Sequence, residues 1–130
     1  MQITLTSIMV ENQDHALDFY TKIVGFEKKN DVPMGAYRWL TVHSPEGAHG
    51  VELVLEPMAF PPAQTFQKAL FDAGIPATAF ISKDIAAEYQ RLTALGVKFR
   101  GPPKSMGLIT MAMFEDTCGN IINLVQPPAD

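Results

Sequence analysis

Cysteine is nearly missing from this sequence, which has one thiol, Cys118, in 130 residues. A lone cysteine makes no internal disulfide, and without a Cys pair there is neither a zinc ribbon nor a thioredoxin-type motif. Charge is sparse too, at 18% of residues, with a net charge of −4 at pH 7. The basic residues (Lys28, Lys29, Arg38, Lys83, Arg91, Lys98 and Arg100 among them) are scattered and form no stripe, so nucleic acid is not an expected partner. No apolar run approaches the ~20 residues that cross a bilayer. The stretch Met1-Gln2-Ile3-Thr4 also lacks the charged-then-apolar pattern of a signal peptide. The expected location is therefore the cytoplasm, with no membrane partner.

What the chain has is apolar residues, 47% of the total and spread along its whole length, which argues against intrinsic disorder. At this size folding buries about two-thirds of the accessible surface, enough for one core and a single domain over residues 1–130. Within it the pattern repeats once. The first half opens with the strand-like run Ile3 to Val10. A helix then starts at Glu11-Asn12-Gln13-Asp14 and ends at Gly25. The second opens with Ala77 to Ser82, then a helix from Lys83-Asp84 to Gly96. Asn12 and Asp84 are suited to cap the first free backbone N–H groups, and each glycine suits a left-handed C-terminal position. Apolar residues at steps of three and four (Ala16, Tyr20, Ile23, Val24, then Ile85, Tyr89, Leu92, Leu95) give each helix one sheet-facing stripe.

Three strand-like runs follow each helix: Phe26 to Val32, Tyr37 to His43 and Val51 to Glu56, then Val97 to Arg100, Leu108 to Phe114 and Ile121 to Gln126. Each half thus reads β-α-β-β-β. Module one covers residues 2–56 approximately, a connector 57–76, and module two 77–126. The connector carries a short helical pattern with Phe66, Ala69, Leu70 and Ala73 on one side. The stretches Asn30 to Ala36 and Gly101 to Gly107 read as loops able to close over a site.

Val10-Glu11-Asn12, Ala16-Leu17-Asp18-Phe19-Tyr20, Val24-Gly25-Phe26, Ala94-Leu95-Gly96-Val97 and Phe114-Glu115-Asp116-Thr117-Cys118-Gly119-Asn120 together resemble the vicinal oxygen chelate superfamily of glyoxalase I, bleomycin-resistance proteins and extradiol dioxygenases. The last segment is similar to that family's Asp-Pro-Asp-Gly-Asn turn, with Thr117-Cys118 in place of Pro-Asp. The resemblance implies an α+β, glyoxalase-like fold in which two βαβββ modules form an incomplete barrel around a cleft. It also implies a homodimer, with the cleft formed within one chain or across two.

In metal-dependent members four ligands stand on the first and last strands of the modules, positions that fall here on Leu5, Glu52, Ala77 and Asn123. Leucine and alanine offer no lone pair, an amide is a weak neutral ligand, and a solitary carboxylate does not hold a transition metal in water. No metal or other cofactor is expected, and neither glyoxalase I chemistry nor extradiol cleavage follows. His15, His43 and His49 read as surface histidines, although rescue of a metal by His43 or His49 stays open from sequence alone.

Strand alternation puts Leu5, Ser7, Met9, Glu52, Val54 and Glu56 on the cleft wall of module one. Ala77, Ala79, Ile81, Asn123 and Val125 follow in module two, and matching strands add Trp39, Thr41, Met111 and Met113. Such a lining suits an apolar or aromatic small molecule, and burying some 200 Å² of it contributes on the order of 5 kcal/mol before association costs. Glu52 is the titratable group on this wall, where burial disfavours its charge, so it is the candidate catalytic residue. Asn123 is a candidate donor to it or to a ligand. Arg38 reads as a salt-bridged surface residue and Cys118 as a spectator thiol. The leading expectation is a metal-independent binding protein. The alternatives are a lyase, isomerase or dioxygenase acting through Glu52, and a non-catalytic interaction module.

Overall fold

The computed structural model describes residues 1–129 and is α+β, built from two β-α-β-β-β modules. Module one contains β1 (Leu5–Val10), α1 (Gln13–Asp18) continued by a π-helical turn (Phe19–Ile23), β2 (Glu27–Met34), β3 (Tyr37–His43) and β4 (Glu52–Pro57). After α2 (Pro61–Ala73), module two contains β5 (Thr78–Ile81), α3 (Ile85–Ala94), β6 (Lys104–Met106), β7 (Ile109–Glu115) and β8 (Ile121–Gln126). The strand orders are β1-β4-β3-β2 and β5-β8-β7-β6, the same topology twice. In each sheet the first and last strands pair in parallel and the other neighbours antiparallel. The chain divides into two compact units, one ending at Phe66 and the other beginning at Gln67.

Each module buries the sheet face that its helix covers. In module one Ile8, Val10, Leu40, Val42, Leu53 and Leu55 are buried with Ala16, Phe19 and Tyr20 of the helical segment. Tyr20 stacks on Phe26 at 6.2 Å between ring centroids. In module two the counterparts are Ala112, Phe114, Ile122 and Leu124 with Ile85 and Leu92, and Phe99 bridges Tyr89 and Phe114 at 4.7 and 5.5 Å. Both expected caps are in place: the Asn12 side-chain amide oxygen accepts from the His15 N–H at 2.9 Å, and the Asp84 carboxylate from the Ala87 N–H at 3.0 Å. Gly25 and Gly96 end the helices at φ of 99° and 88°, where a side chain is strained.

Five expectations need correction. The run Val97 to Arg100 is not a strand and makes only a bridge between Phe99 and Phe114. The edge strand lies instead at Lys104–Met106, inside the segment expected to be a loop, because the proline pair that cannot donate to a ladder ends before it. Likewise β2 runs on to Met34 through the expected loop, with Pro33 on an edge strand where no partner needs its N–H. In α2 the buried residue is Gln67, while Phe66 is 65% exposed. The turn below α2 presents acceptors, so Gln67 turns inward and its Nε2 donates to the Cys118 carbonyl at 3.3 Å and to Asn120 Oδ1 at 3.1 Å. Leu95 is 49% exposed, because the chain leaves the helix there. Among the described residues no helix is long and apolar enough to cross a membrane.

Candidate functional site

The sheet face of module one that α1 does not cover carries Leu5, Ser7 and Met9, whose register partners are Glu52, Val54 and Glu56. Thr41 pairs with Val54, so Trp39 and Thr41 share that face. The structure therefore brings every module-one residue expected at the site onto one sheet surface. Leu5 and Ser7 are exposed, Met9, Trp39 and Glu52 half-buried, and Val54 and Thr41 buried.

Glu52 does not stand alone on this face. The Thr41 hydroxyl donates to Glu52 Oε1 at 2.6 Å and the Asn30 amide to the same oxygen at 2.7 Å. The backbone N–H of Asn30 donates in turn to Thr41 Oγ1 at 3.1 Å. Sequence reading missed Asn30, and a β-bulge explains why. Between Lys28 and Asn30 the register with β3 shifts by one residue, so Asn30 pairs with Thr41 rather than with the helix-facing Leu40. The available signal was the absence of apolar alternation in Glu27-Lys28-Lys29-Asn30. The donors to Glu52 thus come from its own sheet.

Arg38 behaves as a salt-bridged surface residue. Its guanidinium pairs with Asp14 and, at 2.9 Å, with Asp31. The hydrogen bond from Arg38 holds the Asp31 carboxyl below the ordinary aspartate range, and the same contact raises Arg38 above its usual value. His43 lies 3.6 Å from Glu27 on the β2–β3 pair. Cys118 is 1% exposed, in a turn whose Asp116 carboxylate accepts from the backbone N–H groups of Cys118 and Asn120.

In module two the uncovered face holds Ala79, Ile81, Met111, Met113, Asn123 and Val125, since Ala79 pairs with Asn123 and Asn123 with Met113. Ala77 precedes β5. By register it is Ala79, not Ala77, that stands beside Asn123 as Leu5 stands beside Glu52; neither alanine has a lone pair, so the donor set is unchanged. A pocket of about 450 Å³ opens on this face, lined by Arg100, Gly101, Pro102, Pro103, Lys104, Met106, Met111, Ala112 and Met113. Much of its wall comes from the segment that sequence reading treated as a loop able to close over a site. Asn123 Oδ1 is buried and accepts no hydrogen bond from any of the described residues. Among the described residues no three His, Cys, Asp or Glu side chains are grouped closely enough to hold a metal ion. The family's ligand positions do not fit a metal either: two are hydrocarbon, one is an amide, and the carboxylate oxygen of the fourth is already engaged by two donors.

A family model described as "Glyoxalase/Bleomycin resistance protein/Dioxygenase superfamily" matches residues 2–124. The protein YurT of Bacillus subtilis (strain 168) is 52% identical over 126 residues, covering 97% of this chain and 99% of YurT. The crystal structure of UcmS2 superposes with a TM-score of 0.83 at 32% identity, over 96% of this chain and 97% of that one. That of TnmS3, described as an antibiotic binding protein from Streptomyces sp. CB03234, superposes with a TM-score of 0.76 at 34% identity, over 98% and 96%.

Proposed function

The chain belongs to the glyoxalase/bleomycin resistance protein/dioxygenase superfamily, and from that membership we propose that it is a metal-independent binding protein for an apolar or aromatic small molecule. The observation that carries this reading is the pocket of about 450 Å³ with methionines and prolines in its lining. That volume suits a drug-sized ligand, and thioether side chains adapt to a flat apolar surface. The likeness to TnmS3, itself described as antibiotic-binding, supports a sequestering role toward a compound of that kind. Ala77, Ala79 and Asn123 of module two are proposed as further ligand contacts, and Leu5, Ser7, Met9, Trp39, Glu52 and Val54 are proposed as small-molecule contacts on module one's own open sheet face. The protein is proposed to act in the cytoplasm as a homodimer, which light scattering checks as twice the 14.3 kDa chain mass.

The test is a thermal-shift screen of polycyclic aromatic compounds, with and without Zn²⁺, Ni²⁺, Mn²⁺ and Fe²⁺. At a hundredfold excess over its Kd a ligand stabilises the fold by about 2.7 kcal/mol. Met111→Asp should remove that gain, and the metals should leave it unchanged. A stoichiometric metal ion retained through purification would overturn the proposal.

A second role for Glu52 rests on its free Oε2, which accepts no hydrogen bond among the described residues while Oε1 accepts two. That oxygen is available to a ligand donor or a proton. Turnover lost in Glu52→Gln, with ligand affinity retained, would establish the catalytic reading over binding alone.

A further inference from the structure

The pocket on module two is largely apolar, lined by Pro102, Pro103, Met106, Met111 and Met113, yet two polar groups are unmatched, one in its lining and one on the strand beside Met113. Of the two cations in its lining, Arg100 is committed: its Nε donates to Glu115 Oε2 at 3.0 Å, and its guanidinium lies 5.0 Å over the Phe71 ring. Lys98 shares the same carboxylate at 3.4 Å. Lys104 is different. It is exposed and forms no ion pair or hydrogen bond through its ammonium with any described residue. The second unmatched group is Asn123 Oδ1, buried without a donor among the described residues. A buried acceptor left unpaired is destabilising, a cost that a ligand N–H or O–H group would relieve.

The sheet register relates the two groups. Lys104 pairs with Met111 on β7, and Asn123 pairs with Met113, two residues along the same strand and on the same face. The two are thus two strands and two residues apart, on the order of 12 Å between Cα atoms for ordinary sheet spacings. A lysine side chain laid across this face would shorten the gap between the polar ends to the span of two or three fused rings. Met113, the register neighbour of Asn123, has three rotatable bonds with which to move aside.

We infer that the pocket selects a flat apolar acid with a hydrogen-bond donor at its far end, its anionic group paired with Lys104 and its N–H or O–H donating to Asn123 Oδ1. This rests on the binding function proposed above and adds the chemical class of the ligand. Burial of the ring system supplies most of the affinity, and the two anchors set orientation and discriminate against cationic or wholly apolar compounds.

The test uses the full chain and three probes in ¹H–¹⁵N NMR titrations: 6-hydroxy-2-naphthoate, which carries both groups, 2-naphthoate and 2-naphthol. The double-anchored probe should bind about fivefold tighter than either of the others, the scale of one rim ion pair or one hydrogen bond. Lys104→Met should weaken both naphthoates about fivefold and leave 2-naphthol unchanged, with Lys104→Arg restoring the loss. Asn123→Leu should erase the advantage of the hydroxyl while sparing 2-naphthoate. Because Lys104 is exposed on an edge strand, its variants fold whatever Asn123 tolerates. If all three probes shift the Met106, Met111 and Met113 signals with equal affinity and Lys104→Met changes nothing, the two anchors are wrong while the binding pocket stands. If none of the probes moves those signals, the pocket is no binding site and both readings fall.

Discussion

Thr41 serves two neighbours at once on the open face of β3, donating to Glu52 and accepting from the Asn30 backbone while fully buried. Thr41→Val keeps the shape and removes these bonds together with the one its hydroxyl oxygen accepts from the Asn30 side-chain amide at 3.3 Å, so the variant should lose about 1–3 kcal/mol in urea unfolding. The Arg38–Asp31 contact makes a prediction in pH. Because the folded-state pKa of Asp31 is depressed, the contact contributes stability at pH values above the unfolded-state pKa. That stability is lost as acidification passes down through the folded value. Wild type should therefore lose stability more steeply than Arg38→Leu below about pH 4, by less than about 1 kcal/mol because the pair is open to solvent. Urea midpoints measured from pH 2.5 to 6 check this. Thr117 holds a φ of 61°, a left-handed conformation that a β-branched side chain resists and asparagine accepts. Thr117→Asn should stabilise the protein by roughly 0.5–1 kcal/mol in the same assay.

At the scale of elements, the helices are tied to their sheets by glutamines as well as by apolar packing. Gln13 of α1 donates to the carbonyls of Arg38 and Leu55 at 2.8 and 2.9 Å and accepts from the Arg38 N–H at 3.1 Å. In module two Gln126 accepts from the Ile85 N–H at 2.8 Å at the start of α3. On α2 the contrast between neighbours is sharp. Gln67→Met should cost about 1–3 kcal/mol by removing two buried hydrogen bonds from its Nε2, whereas Phe66→Ser, next to it and exposed, should stay within about 0.5 kcal/mol. Thermal unfolding of the pair reads the difference. Apolar periodicity chose the wrong residue there because a stripe reports hydrophobicity, while the turn under α2 called for a donor.

For the whole molecule, net charge decides colloidal behaviour. With a sequence isoelectric point near 5.3, solubility should pass through a minimum around that pH, which turbidity against pH measures. The repeat was legible in the sequence because Asn12, Asp84, Gly25 and Gly96 punctuate helices by local chemistry, and because strands such as Tyr37–His43 and Ile121–Gln126 carry their own alternation. The face shared by Leu5, Glu52 and Trp39 followed from the same two-residue period. Other features belong to pairs of strands rather than to one: the bulge that turns Asn30 toward Glu52, the edge strand at Lys104–Met106, and the register that sets Ala79 beside Asn123. Residue types alone thus determined the two modules and the shortage of metal-binding donors at the family's ligand positions, where Glu52 is the one charged group. Which donors hold Glu52, and which methionines, prolines and lysine surround a pocket, only tertiary structure decided, because hydrogen-bond partners and cavities arise from chain segments that meet only after folding.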